Sequence, residues 1–228
     1  MDKQITFILC RPAVPANIGA AARAIKTMGF HEIRLVNTSA HREKEAYWLA
    51  HASEDILNNA KQFCSLKEAI HDIDFIIGTS AKKRRIKHDY YLAEDLAGII
   101  ENKGSSIKKI AIVFGSEESG LNNKELEECD IITYIPMEMA YPSLNLSQAV
   151  MLYAYILKEH KAEFTQNQKE IADNPESYKV LKRKVYNILD KLDFPEKENA
   201  RGRIMERLAI ARQEDLQLIF KICQAFDK

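Results

Sequence analysis

Cysteine is scarce in this chain: four in 228 residues, at Cys10, Cys64, Cys129 and Cys223, far apart and with no C-x-x-C pair. That spacing speaks against a disulfide framework or a structural zinc site and leaves buried free thiols as the expectation. Long apolar runs are missing, since none approaches the roughly 20 residues that cross a bilayer. The first ten residues lack the small-residue cleavage site of a signal peptide, so a soluble, cytoplasmic protein with no membrane partner is expected. Net charge is also absent, with 33 Lys+Arg against 33 Asp+Glu. A zero sum excludes nucleic-acid binding by bulk charge, but not by basic residues gathered on one face. Several chemistries lack their motifs. No G-x-G-x-x-G follows the first predicted strand, no G-x-S-x-G occurs, and the six histidines form no H-x-x-x-H pair. Common dinucleotide enzymes, α/β-hydrolases and zinc hydrolases are thereby disfavoured, and no metal is expected.

What is present is an ordinary globular mixture, 46% hydrophobic and 29% charged. Short apolar, mostly β-branched runs at residues 5–10, 33–36, 75–78, 110–114 and 131–135 predict buried strands. Helical spacing predicts helices at 16–28, 46–59, 92–102, 123–128 and 146–160, the first ended by Gly29. Alternation of the two predicts an α/β domain with a largely parallel sheet over residues 1–160. Residues 161–177 are polar and read as a linker. Two further helical patterns, at 178–193 and about 199–226, are separated by Phe194-Pro195. Too small to stand alone, this extension over 178–228 is expected to pack on the α/β domain or on a second subunit.

Three unusual loops follow predicted strands, the place where open α/β sheets bind ligands. The first runs from Arg11 through Pro12 and Pro15 to Asn17, Gly19 and Arg23. Asn17 reads as a helix N-cap, and Arg23 as a cation able to reach a phosphate or a carboxylate, or simply as a surface arginine. The second, Phe114-Gly115-Ser116-Glu117-Glu118-Ser119-Gly120-Leu121, has a phosphate loop's glycine spacing without its lysine. Here Glu117 can accept hydrogen bonds from hydroxyl or amino groups, or sit favourably near a helix N-terminus. The third leads from Ile135-Pro136-Met137 to Ser143-Leu144-Asn145-Leu146-Ser147. Either Ser143 or Asn145 can cap the next helix, and either can present a polar group to a substrate.

Taken together, these loops resemble the SPOUT superfamily of RNA methyltransferases, and within it the TrmH family that methylates ribose 2′-hydroxyls. The resemblance rests on Asn17-Ile18-Gly19 with Arg23, on Phe114-Gly115-x-Glu117-x-x-Gly120-Leu121, and on Ile135-Pro136-Met137 with Ser143-Leu144-Asn145-Leu146-Ser147. Arg11-Pro12-x-x-Pro15, Gly78-Thr79-Ser80-Ala81 and the helical tail look like the TrmJ-like group. The resemblance implies a SPOUT-type parallel sheet with helices on both faces, a C-terminal trefoil knot and a small helical extension. It implies S-adenosylmethionine as cofactor, S-adenosylhomocysteine as product, and a homodimer whose active site is completed across the interface. Cofactor contacts would fall on Thr79, Ser80, Ala81, Gly115, Ile135, Met137, Ser143, Leu144 and Asn145. Arg23, Asn17, Glu117, Ser143 and Asn145 would form the catalytic set. Arg23 is proposed in the family as the base, yet a guanidinium suits a phosphate anchor at least as well.

Residues 82–88 carry five positive charges and no acid. A solvated loop is the usual meaning of such a run. Its place behind the cofactor loop favours RNA phosphate contact by Lys82, Lys83, Arg84 and Arg85, with Arg11 and Arg23 beside them. The substrate expected from the TrmJ-like group is tRNA at the first nucleotide of the anticodon loop. Ribosomal RNA, a non-catalytic RNA-binding module and methylation of a base are the alternatives.

Overall fold

A computed structural model of the chain describes residues 3–82, 84, 87, 89–138, 143–160, 177–192 and 200–226. Lys83, Arg85, the bulk of the expected linker and Phe194-Pro195 lie outside them. In chain order the elements are β1 (Gln4–Cys10), α1 (Pro15–Thr27), β2 (Ile33–Val36), α2 (Lys44–Ala50) and α3 (Glu54–Asn58). Then come β3 (Lys61–Phe63), α4 (Leu66–Ala69), β4 (Phe75–Thr79), β5 (Tyr90–Leu92), α5 (Leu96–Asn102) and β6 (Lys109–Phe114). The set closes with α6 (Asn123–Glu128), β7 (Ile131–Tyr134), α7 (Leu146–Leu157), α8 (Tyr178–Lys191), α9 (Ala200–Ile210) and α10 (Gln213–Phe226).

All strand pairs are parallel, in the order β3-β2-β1-β6-β4-β7-β5. The five central strands are those that the apolar runs predict. They are covered on both faces, which demands continuous hydrophobic stretches. Alternate residues of β1 and β6 enter different cores. Phe7, Leu9, Ile112 and Phe114 join a cluster with α1, α7 and the C-terminal helices, while Ile8, Cys10, Ala111 and Val113 join one with α4 and α6. The two strands not anticipated, β3 and β5, are the three-residue edges, only partly buried and too short to show a period. Three of the four cysteines are buried; Cys64 is exposed, contrary to expectation, beside the short edge strand β3.

Two predicted helices are broken by tertiary contacts. The stretch 46–59 splits into α2 and α3 because His51 and Ala52 take positive φ, 27° and 61°, and Lys26 holds the Ala52 carbonyl at 2.8 Å. The C-terminal pattern from 199 splits at Ala211–Arg212. There the Leu208 carbonyl accepts from the Lys103 ammonium at 3.0 Å and from the Ala211 amide at 3.3 Å, ending α9. The residue pair Tyr90-Tyr91, with Leu92, forms β5, so the helix predicted from 92 starts only at Leu96 after a 3₁₀ turn.

The extension packs on its own chain. Tyr178, capped in place by Ser177, is fully buried with its ring edge-on to Phe75, centroids 5.5 Å apart. Lys103 is buried beneath it, 4.5 Å from the Tyr178 ring centroid. Burial outweighs the attraction of Asp130 and pushes the Lys103 ammonium down to about 7. Its charged form is therefore disfavoured in the folded state, and stability should rise with pH between about 7 and the ~10.4 of a free lysine. Lys103→Met is expected to flatten that rise in urea unfolding midpoints; an unchanged slope would assign the titration to another group.

Gly19 sets the approach of α1 to α2. A Cβ there would lie 1.9 Å from the Ala46 carbonyl oxygen and 3.0 Å from the Ala50 nitrogen. Gly19→Ala must push the two helices apart and should cost about 1–3 kcal/mol of stability, measured by urea unfolding.

Candidate active site

The loops after β4, β6 and β7 meet at the carboxyl edge of the sheet and there enclose a cavity of about 350 Å³, while the loop after β1 contributes none of its lining. This is a size suited to a cofactor-sized ligand. Its wall joins apolar side chains (Phe114, Leu121, Ile135, Met137, Leu144) to hydroxyls and backbone (Ser80, Gly115, Ser116, Ser143). Of the residues expected to hold the cofactor, Thr79, Ser80, Ala81, Gly115, Ile135, Met137, Ser143 and Leu144 all line it, and Asn145 does not.

Asn145 and Asn17 instead belong to a hydrogen-bonded chain beside the cavity. The Asn145 amide donates to Asn17 Oδ1 at 2.8 Å, and the Asn17 amide donates to Glu117 Oε1 at 2.9 Å. The Ala13 and Val14 amides donate to Glu117 as well, at 3.0 and 3.2 Å. Side chains from the loops after β1, β6 and β7 are thus tied together. Burial alone would raise the Glu117 carboxyl, but the bonds from Ala13, Asn17 and Val14 prevail and hold it below the usual range. Three of its roughly four acceptor positions are taken up by its own chain, so Glu117, which also lines the cavity, braces the site.

Asn17 is not the N-cap of α1. That position belongs to Val14, with Pro15 starting the helix and no side-chain cap. A proline supplies the helical φ without wasting an amide, and the Val14 amide already has Glu117. Asn17 lies within the first turn, where its side chain is available for the network. Of the two capping candidates in the third loop, Asn145 caps α7. It accepts from the Ser147 amide at 2.9 Å and forms a capping box with Gln148. Ser143 is exposed at the cavity wall.

Among the cations, Arg23 is exposed on α1 and makes no hydrogen bond or ion pair among the described residues; it does not line the cavity. Arg11 is engaged: its guanidinium bonds Glu125 at 2.7 and 3.1 Å and the Gly120 carbonyl at 3.2 Å. Arg84 is also engaged, on the Leu121 and Ser119 carbonyls at 2.8 and 2.9 Å. Lys82 lines the cavity. No sequence motif marked Tyr153, about two turns into α7. It lines the cavity, packs edge-on against Phe114 and shares a 2.9 Å hydrogen bond with Thr133. Its seven-residue spacing from Leu146 was the only available signal. Among the described residues no group of three or more His, Cys, Asp or Glu side chains is placed to hold a metal ion, and no helix is long and apolar enough to cross a membrane.

A family model described as the SpoU rRNA methylase family matches residues 4–155. Over 230 residues the chain is 38% identical to an Escherichia coli protein named as an uncharacterized tRNA/rRNA methyltransferase LasT, covering 99% of this chain and 98% of that one. It is 35% identical over 216 residues to the tRNA (cytidine-2′-O-)-methyltransferase TrmJ of Methanocaldococcus jannaschii, covering 91% of each. Among solved structures, a probable methylase family protein from Haemophilus influenzae aligns with a TM-score of 0.64 and 31% identity, over 100% of this chain and 97% of that one.

The lowered Glu117 carboxyl gives the site a pH signature. Stability from its bonds is fully present above the ordinary glutamate range, near pH ~4.3, and is lost as pH falls through the lower folded value. Glu117→Gln should therefore lower the melting temperature near neutrality, with the gap to wild type closing on acidification below about pH 4. A gap independent of pH would mean that the loss is one of packing.

Proposed function

The chain belongs to the SpoU rRNA methylase family and is a methyltransferase, and from that premise we propose that it methylates a ribose 2′-hydroxyl of RNA, using S-adenosylmethionine. The substrate we favour is tRNA, which the TrmJ relative named for cytidine 2′-O-methylation of tRNA supports over rRNA; the position, the first nucleotide of the anticodon loop, follows from the resemblance to the TrmJ-like group. The observation that carries the reading is the cavity itself. Two of the three loops singled out by their motifs line it, together with the loop after β4, and eight residues expected at the cofactor are among its lining. When bound, S-adenosylmethionine would supply an activated methyl group to the ribose 2′-oxygen, its S–C bond breaking to leave S-adenosylhomocysteine and the hydroxyl proton passing to solvent, so that positioning provides much of the rate.

The chain's own residues then have separable roles. Ser143, exposed at the wall, can hydrogen-bond the ribose or its phosphate. The Asn145–Asn17–Glu117 chain holds the mouth of α1 and the start of α7 in fixed relation. Arg23 provides a guanidinium that, with a pKa above about 12, serves better as a phosphate anchor and charge stabiliser than as a base. Because Arg23 does not reach the cavity of its own chain, we assign it to a site shared between two protomers. Leu152 and Tyr155, exposed on α7 beside α1, offer an apolar face for such a homodimer. A knotted passage of the third loop remains part of this proposal; residues 139–142 lie outside the described ones. The extension over 178–228 is assigned as an appendage to the methyltransferase domain over 1–160.

The test is methyl transfer from labelled S-adenosylmethionine to tRNA and rRNA transcripts, followed by nucleoside mass spectrometry. A labelled 2′-O-methyl nucleoside in the tRNA anticodon loop is expected. Label on a base would overturn the ribose reading, and label in rRNA alone would select the alternative substrate. Arg23→Ala should lower turnover by about 10²-fold or more, as loss of an oriented charge stabiliser does. Arg23→Lys with near wild-type turnover would remove the guanidinium-specific role.

A further inference from the structure

We propose that Arg84, although it sits in the basic run, is a positioning residue that latches the rim of the cofactor cavity and is not an RNA anchor. The inference rests on the cofactor reading above and adds to it a residue and a role. Its basis is the fate of three successive carbonyls. Ser119 and Leu121 give theirs to the two terminal nitrogens of Arg84, at 2.9 and 2.8 Å, and Gly120, between them, gives its own to Arg11 at 3.2 Å.

The loop needs these partners because it doubles back tightly. A Cβ on Gly115 would lie 1.9 Å from the Gly120 carbonyl carbon, Ser116 and Gly120 form an isolated β-bridge, and Gly120 has φ of 67°. A turn this sharp presents its carbonyls outward, away from any strand, and each must find a donor or remain solvated. Arg84 is itself pinned at the backbone. Its amide donates to the Tyr90 hydroxyl at 2.8 Å, and that hydroxyl donates to the Arg84 carbonyl at 3.0 Å. Tyr90 belongs to β5, paired in the sheet with β7. The latch thus runs from the sheet edge, through Arg84, to the loop after β6, joining two walls of one cavity.

A planar guanidinium can bond two carbonyls that stand two residues apart, whereas an ammonium carries the same charge without the fork. Arg84→Lys therefore removes the fork and keeps the charge, whereas Arg84→Gln removes both. Calorimetric titration with S-adenosylhomocysteine should show binding to wild type and at least about tenfold weaker binding to Arg84→Lys, the effect of losing a charge-assisted bond at a binding wall. Tyr90→Phe, which frees the backbone of the latch, should weaken binding in the same direction. Filter binding of tRNA by Arg84→Gln, which removes the charge, should keep the wild-type salt slope, since a guanidinium committed to loop carbonyls neutralises no phosphate. Wild-type affinity for S-adenosylhomocysteine in both Arg84→Lys and Tyr90→Phe would overturn the latch and leave the proposed function standing. Absence of binding to wild type would overturn both. A changed salt slope with unchanged cofactor affinity would return Arg84 to the RNA surface.

Discussion

Parallel strands end together, and at their carboxyl edge the loops that leave them carry amides and carbonyls with no ladder to join. In this protein the carboxylate of Glu117 meets much of that demand on the amide side. It accepts from the backbone of the loop after β1 and from Asn17, and Asn17 in turn accepts from Asn145 at the start of α7. Arg11 and Arg84 meet the demand on the carbonyl side of the loop after β6. Anionic and cationic side chains thus brace the loops around the cavity in complementary ways.

That arrangement explains a division of labour among residues of one chemical type. Of the arginines in the candidate set that lie among the described residues, two are committed to loop carbonyls and one, Arg23, stays exposed on a helix. A guanidinium that is already bonded to carbonyls is a structural cross-link; one without such bonds can still meet a phosphate. The neutral charge sum hid this difference entirely, since it counts all arginines alike. Asparagine divides in the same way. Asn145 both caps α7 and bonds Asn17, and Asn17, freed from capping by Pro15, bridges to Glu117.

The C-terminal helices follow a different rule. They dock by burying Tyr178 against Phe75 and by threading the Lys103 amine to the Leu208 carbonyl, which also sets where α9 stops. This extension therefore shares the core that lies beneath α1 and α7. A lysine there loses hydration that its polar and aromatic neighbours replace only in part, which is why its charge becomes conditional on pH.

Local patterning by itself determined the central five strands, the alternation with helices and the three loops with their motifs. Burial on both faces writes itself into uninterrupted apolar runs such as residues 110–114, and a loop with Gly115 and Gly120 declares a close turn through its composition. Short edge strands leave no such record, because three half-exposed residues cannot show a period; hence β3 and β5 went unread. Helix interruptions at His51–Ala52 and at Ala211–Arg212 also left no mark, being imposed by Lys26 and Lys103 from distant parts of the chain. The roles of Arg11, Arg84 and Asn17 were decided only by tertiary structure. Sequence states which donors and acceptors exist, but a hydrogen bond requires both ends within about 3 Å, and only the folded chain brings Glu117 to Asn17 or Arg84 to Leu121.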